Sequence, residues 1–336
     1  MVLTEYYGMF AAIGGAICFG LGNVIIKWQG GRIKPFAINA IRLIFSSIVY
    51  VIILAATGVL VSTFSFDWKT ALLLSGGSLI AVLFGDTIFF FSQQLIGLSR
   101  AYPIAVSYPL LTYIISMIIG DESFDYIKMI GVVVVIIGVY LIASSTNSKK
   151  EEIITEKNDS NGTDINRLEE QIDQVVNTKA ELERKSRLLI ILGILGAVVT
   201  AISWAFGTIM MARALVNVSD NILDKLQANA YRIFCIAPIA TIVFYVGNHG
   251  NQKSEFSWKG ILFVILAGII GNTAGSLLYL LAVSYLPAST TAAITASSPL
   301  IATPLSIIFL KERFSWKLVI GTVLTLGGIW LILYFA

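Results

Sequence analysis

Charges, prolines and polar clusters divide the chain into ten apolar stretches. They are 8–28, 36–57, 70–95, 101–119 and 126–145 in the first half, and 188–211, 226–247, 259–283, 288–309 and 316–335 in the second. A helix rises 1.5 Å per residue, so about 20 apolar residues cross the hydrocarbon core of a bilayer. Isolated strands would leave backbone groups unpaired in lipid, and helices are the only reading open to runs this long. The expectation is therefore an all-α membrane protein with ten transmembrane helices. Composition agrees: 57% of residues are hydrophobic and 13% charged, and mean hydropathy is +0.83. A water-facing globule carries about a quarter charged residues.

Several function classes drop out at this stage. The net charge of +3 is small and scattered, so no nucleic-acid partner is expected. The single histidine, His249, lies in a polar loop, and Cys18 and Cys235 sit in separate apolar runs without a CxxC spacing. Neither a metal site, a cofactor nor a histidine-based catalytic triad is expected, and the chain reads as no enzyme. No GxxxxGK[ST] run is present, so there is no nucleotide-hydrolysing motif. The first apolar run begins near Gly8 without a basic flank or a cleavage site and reads as a retained helix.

The two halves repeat each other. Trp68 and Trp258 lie 190 positions apart (258 − 68 = 190), and the same offset pairs Pro109 with Pro299, Glu122 with Glu312, Gly131 with Gly321 and Gly138 with Gly328. It also sets "NAIRLIF" at 39–45 against "NAYRIFC" at 229–235. Shared Arg, Glu, Trp, Asn and Pro positions are hard to obtain by chance from apolar composition. Each unit has five spans, an odd number, so the chain leaves the first unit on the side opposite to its entry. The expected organisation is two inverted five-helix repeats, 1–145 and 188–336, joined by a charged hydrophilic linker, 146–187. Within that linker Ile165, Leu168, Ile172 and Val175 form one stripe of a short amphipathic helix. Two inverted units place a site at their interface that each side of the membrane can reach in turn, which is what a carrier needs.

These residues resemble the drug/metabolite transporter superfamily, specifically its EamA-type permeases, over nearly the whole chain except the linker. The likeness rests on Asn23–Lys27 at the end of span one, Arg42 and Arg232 early in spans two and seven, and Pro-Leu in spans four and nine. It also rests on "DESF" at 121–124 and "KERF" at 311–314. The resemblance implies movement of small metabolites through a central cavity lined mainly by spans other than five and ten. Ala212 stands where the first unit has Lys27, and the linker is longer than the likeness implies.

Asp86 lies near the middle of span three, where a carboxylate costs about 3 kcal/mol or more unless it faces a cavity or a partner. Its repeat mate is Ser276, so the shared scaffold does not require the acid. Two readings stay open: a proton- or cation-linked substrate site, or a carboxyl bonded to neighbours such as Asn23 or Asn272. Arg42 and Arg232 read either as anchors that snorkel towards opposite faces or as residues that attract anionic groups. Pro109 and Pro299 remove backbone donors opposite Ala105 and Thr295 and are expected hinges. Tyr108, Thr112, Tyr113, Ser297, Ser298 and Thr303 cluster at those kinks. Phe19 and Trp204 read as cavity walls or as packing. Gly271 and Gly275, mirrored by Ala81 and Gly85, read as close-packing positions. Glu122 and Glu312 read as caps of the helices that follow them.

The side holding the linker carries nine Lys and Arg in its other loops against four on the opposite side, and the linker adds eight. Positive charge retained inside puts the linker in the cytoplasm of a cell-membrane protein, with both termini outside; the resemblance implies both termini inside. The function expected is a secondary transporter of a small-molecule substrate, working by alternating access in the lipid bilayer with proton coupling open at Asp86. A flippase for a lipid-linked sugar or headgroup is the alternative.

Overall fold

The computed structural model describes residues 2–28, 33–144, 165–247, 257–310 and 316–334. Among these there is no strand, and six helices are long and apolar enough to cross a membrane: Thr4–Trp28, Pro35–Ala56, Trp68–Ile96, Arg187–Leu215, Ile222–Gly247 and Trp258–Tyr285. The full helical elements are α1 (Val2–Trp28), α2 (Pro35–Ala56), α3 (Trp68–Ser78), α4 (Asp86–Ile96), α5 (Leu98–Ala105), α6 (Tyr108–Ile118) and α7 (Tyr126–Ser144) in the first half. The second half holds α8 (Ile165–Leu215), α9 (Ile222–Gly247), α10 (Trp258–Ala267), α11 (Ser276–Tyr285), α12 (Ala288–Thr295), α13 (Pro299–Leu310) and α14 (Trp316–Tyr334).

Two of the long helices are not α-helical throughout. Wider π turns join α3 to α4 at Leu79–Gly85 and α10 to α11 at Gly268–Gly275. A π turn breaks the regular i→i−4 ladder, so its carbonyls need other donors. Side chains of α2 supply them: Asn39 donates to the carbonyls of Val82 and Leu83 at 2.9 and 3.2 Å, Ser46 to Gly268 at 3.1 Å and Tyr50 to Thr273 at 2.8 Å.

The stretches 101–119 and 288–309, expected as single kinked spans, are instead each broken into two short helices. Pro109 and Pro299 stand in the first turns of α6 and α13, where a missing N–H costs nothing. Tight i→i−3 bonds bridge each gap, from Ser107 to Ile104 at 3.2 Å and from Ser298 to Thr295 at 3.1 Å. The expected linker also ends differently. Helix begins at Ile165 and runs unbroken through the next span as the 51-residue α8, while 145–164 lie outside the described residues, as does His249.

Packing alternates between the halves. α1 lies on α10, α11 and their π turn, α8 lies on α3, α4 and theirs, and α2 lies on α9. At the periphery α7 and α14 run antiparallel with glycines at the seam. A Cβ on Gly138 would meet the Gly321 carbonyl at 2.6 Å, and one on Gly328 would meet the Gly131 carbonyl at 2.6 Å. Small residues thus allow the backbones to approach, the usual device where lipid supplies no hydrophobic driving force. Outward faces are apolar, with Ile52, Leu195, Ile242 and Val323 all exposed, as suits a lipid-facing surface. Trp68 and Trp258 are 71% and 72% exposed at the starts of their helices, where indole rings settle at a membrane–water interface.

Candidate functional site

The alternating packing leaves a cavity of about 140 Å³ between the halves. Of the residues singled out from sequence, Asn23, Arg42, Asp86, Tyr108, Trp204, Arg232 and Asn272 all line it. Ser297 does not; its neighbour Ser298 does.

Asp86 begins α4 directly after the first π turn. Its partners are neither of the asparagines expected. Arg42 donates from Nη1 to Oδ2 at 3.4 Å, and the Trp204 indole N–H donates to Oδ1 at 3.0 Å. Arg42 donates from Nη2 to Asn272 Oδ1, and its guanidinium lies 5.0 Å from the ring centroid of Phe90. The pair is buried, with side-chain exposures of 9% and 16%. Arg42 therefore does not snorkel. It joins α2, α4 and the second π turn at the cavity wall.

Arg232 occupies the equivalent place in α9 but meets different chemistry. It donates from Nε to Ser78 Oγ at 2.8 Å and from Nη1 to Asn229 Oδ1 at 3.0 Å, and touches Met211 Sδ at 2.9 Å. All three partners are neutral. Asn229 also donates to Ser276 Oγ at 2.9 Å and to the Tyr50 hydroxyl at 2.5 Å. Pro109 and Pro299 border the cavity without lining it; the residues just before them, Val106, Tyr108, Thr295 and Ser298, form its wall. Hydroxyls tie these turns together across the halves. Tyr108 meets Thr295 at 2.6 Å and Tyr102 donates to Ser298 at 2.7 Å, while Tyr279 meets Thr208 at 2.7 Å within the second half.

Tyr102, Met211 and Tyr279 were missed in the sequence. Tyr279 had a usable signal: Asn272, Ser276 and Tyr279 follow i, i+4, i+7 spacing and make a polar stripe on an otherwise apolar helix. Met211 had none, since an apolar residue on an apolar helix carries no mark.

Glu122 does not cap α7. Asp125 does, accepting from the N–H groups of Ile127 and Lys128 at 2.7 and 3.1 Å. Glu122 instead binds Lys128 Nζ at 2.5 Å and reaches across to the start of α12, accepting from the Ser289 hydroxyl at 2.6 Å and its N–H at 3.2 Å. Beside it Asp121 pairs with Arg213 through two bonds of 3.0 Å. Both contacts join the halves at the same end of the bundle. Glu312 lies outside the described residues. Among the described residues no group of three His, Cys, Asp or Glu is placed to hold a metal ion.

Lipid-facing helices around a central, polar-studded cavity define a multi-pass membrane transporter. The sequence matches the EamA-like transporter family over residues 6–144 and 191–334, and the chain belongs to that family. It is 22% identical over 321 residues to an uncharacterized transporter of Archaeoglobus fulgidus, covering 95% of each chain. A solved crystal structure shares the fold at a TM-score of 0.69 and 14% identity, over 98% of this chain and 97% of that one.

Proposed function

We propose that the protein is a secondary transporter that carries a small metabolite by alternating access between two five-helix units of opposite orientation. One observation carries the reading: a cavity lies between the halves, walled by both π turns and by both helix breaks. Irregular backbone at membrane depth is tolerated where it borders a cavity, and discontinuous helices are the usual site builders of carriers. The seam of α7 and α14 supports the inverted relation, because Gly138 on Gly321 and Gly328 on Gly131 are one contact made twice. The Asp121–Arg213 and Glu122–Ser289 contacts act as a latch on one end, so the opposite end is the entrance in this conformation. In this proposal the linker, by the bias of loop charges, is cytoplasmic and the carrier sits in the cell membrane.

The cavity favours a small cargo over a lipid-linked sugar. A void of about 150 Å³ holds one benzene, whereas drug-sized ligands occupy about 300 Å³ or more. Asp86 is the proposed proton site, because protonation would break its ion pair and free Arg42. A thermal-shift screen of the purified protein against a metabolite library at two pH values identifies the cargo. With that cargo in proteoliposomes, Asp86→Asn is expected to lose at least tenfold in accumulation driven by a pH gradient. Unchanged uptake at all pH values would remove Asp86 from the mechanism. Labelling of cysteines placed at Trp68 and Trp258 tests the inversion, and accessibility from the same side of the membrane would refute it.

A further inference from the structure

The charges lining the cavity do not balance. Two arginines face it, Arg42 and Arg232, against one carboxylate, Asp86. Arginine stays protonated in proteins, so the lining carries one positive charge in excess when Asp86 is ionised. Arg42 uses the carboxylate; Arg232, 8% exposed, has only Ser78, Asn229 and Met211 and no carboxylate partner among the described residues. An unpaired charge at membrane depth is costly and marks a place where an ion is met.

Hydrogen bonding points the same way. Among the described lining residues, two buried polar atoms lack a partner, Arg42 Nε and Asn272 Nδ2. Both are donors. The assignment of the Asn272 amide is fixed by its neighbour, since Oδ1 accepts from Arg42 and leaves the amino group over. Both atoms are enclosed in the wall, on residues that line the cavity, and a lining with surplus positive charge is matched by an acceptor-rich anion. The remaining wall mixes aliphatic and small residues with seven aromatic side chains, among them Phe19, Phe89, Trp204 and Tyr279.

Building on the transport reading, we infer that the cargo is a soluble organic monoanion with a compact apolar or aromatic body, its negative group neutralising the charge of Arg232. One excess charge calls for a monoanion, and the volume limits the body to about one ring.

Benzoate is the probe, with benzamide as its neutral isostere, added to the purified protein in uncharged detergent at constant ionic strength. Benzoate is expected to raise the unfolding temperature saturably, with benzamide at least tenfold weaker. Arg232→Gln should weaken benzoate at least tenfold, and Arg232→Lys should recover part of the loss. Asp86→Asn adds to the excess charge and should bind benzoate as tightly as the parent or more tightly, which keeps the inference testable if Arg232→Gln does not fold. Equal binding of benzamide, or weaker benzoate binding by Asp86→Asn, overturns the inference. So does stabilisation by phosphatidylglycerol with none by benzoate, which would assign the charge to a lipid headgroup. These measurements need no transport. A protein that binds benzoate but moves no solute in vesicles would refute the transport reading alone, and one that carries only neutral or cationic cargo would refute this inference alone.

Discussion

Position by position at an offset of 190, the two halves agree at their edges and disagree at the cavity. Trp68 and Trp258 start equivalent helices with nearly equal exposure, and both halves carry a π turn and a proline-led helix break at matching places. At the cavity the match fails. Arg42 meets Asp86, while Arg232 meets Asn229 and Ser78, because Ser276 stands where the acid would be. Duplicated residues hold the frame, and what separates the two cavity arginines is the single acid beside one of them.

The sharpest way to break this comparison is at the seam, where the halves should respond alike. Gly138→Val and Gly328→Val each push a side chain into backbone already within 2.6 Å of the missing Cβ. Overpacking of this kind costs about 1–3 kcal/mol. Unfolding in mixed micelles should show both losses, of similar size, because the same glycine-to-carbonyl contact is made twice. A loss confined to one glycine would mean that the seam is not symmetric.

At the cavity the halves should respond differently. Ser276→Asp gives the second half a carboxylate at the position of Asp86, where Ser276 now accepts from the Asn229 that Arg232 binds. The excess charge then disappears, and benzoate affinity should fall several-fold. Undiminished affinity would show that Arg232 is not the group the anion meets.

How far the sequence led follows the same division. The shared offset of 190 and the single acid were legible because Trp, Pro, Arg and Asp stand out against apolar runs. The π turns were not. Residues 79–85 and 268–275 keep an apolar helical pattern, and what satisfies their carbonyls is Asn39, Ser46 and Tyr50, remote in the chain. Pro109 and Pro299 marked the breaks, but not which side chains each turn aims at the cavity, so Ser297 and Ser298 were named together although only Ser298 lines it. The role of Glu122 was hidden for a related reason: its partner Ser289 lies 167 residues away.

The acid of the Asp121–Arg213 pair is not duplicated in the sequence, since the repeat mate of Asp121 is Lys311. The two side chains are 40% and 46% exposed, so the pair is solvent-screened and worth about 0.2–1 kcal/mol. Asp121→Asn should change stability little. Its expected mark is on the balance between conformations, read as faster labelling of a cysteine at Ser289 from that end. Unaltered labelling would make the pair a surface contact without a gating role.

The smallest expected effect lies at a matched pair of helix caps. Asp67 caps α3, accepting from the N–H groups of Lys69 and Thr70 at 3.1 Å each, and Ser257, 190 positions on, caps α10 by accepting from Gly260 at 3.1 Å. Both satisfy orphan donors of a first helical turn. Only one of them titrates. Bonds from the Thr70 side chain, then from the Thr70 and Lys69 backbone, favour the ionised carboxylate and hold Asp67 below its ordinary range. A group whose folded value is depressed adds stability that is fully present above its unfolded value, near 4, and is lost as pH falls through the lowered folded value. Asp67→Ser makes the first cap a copy of the second. The variant should unfold at nearly the parent temperature near pH 3 and slightly below it at pH 7, the gap opening as pH rises through the carboxylate range. A gap that stays constant with pH would show that the carboxylate charge adds nothing beyond the hydrogen bonds any hydroxyl cap can make.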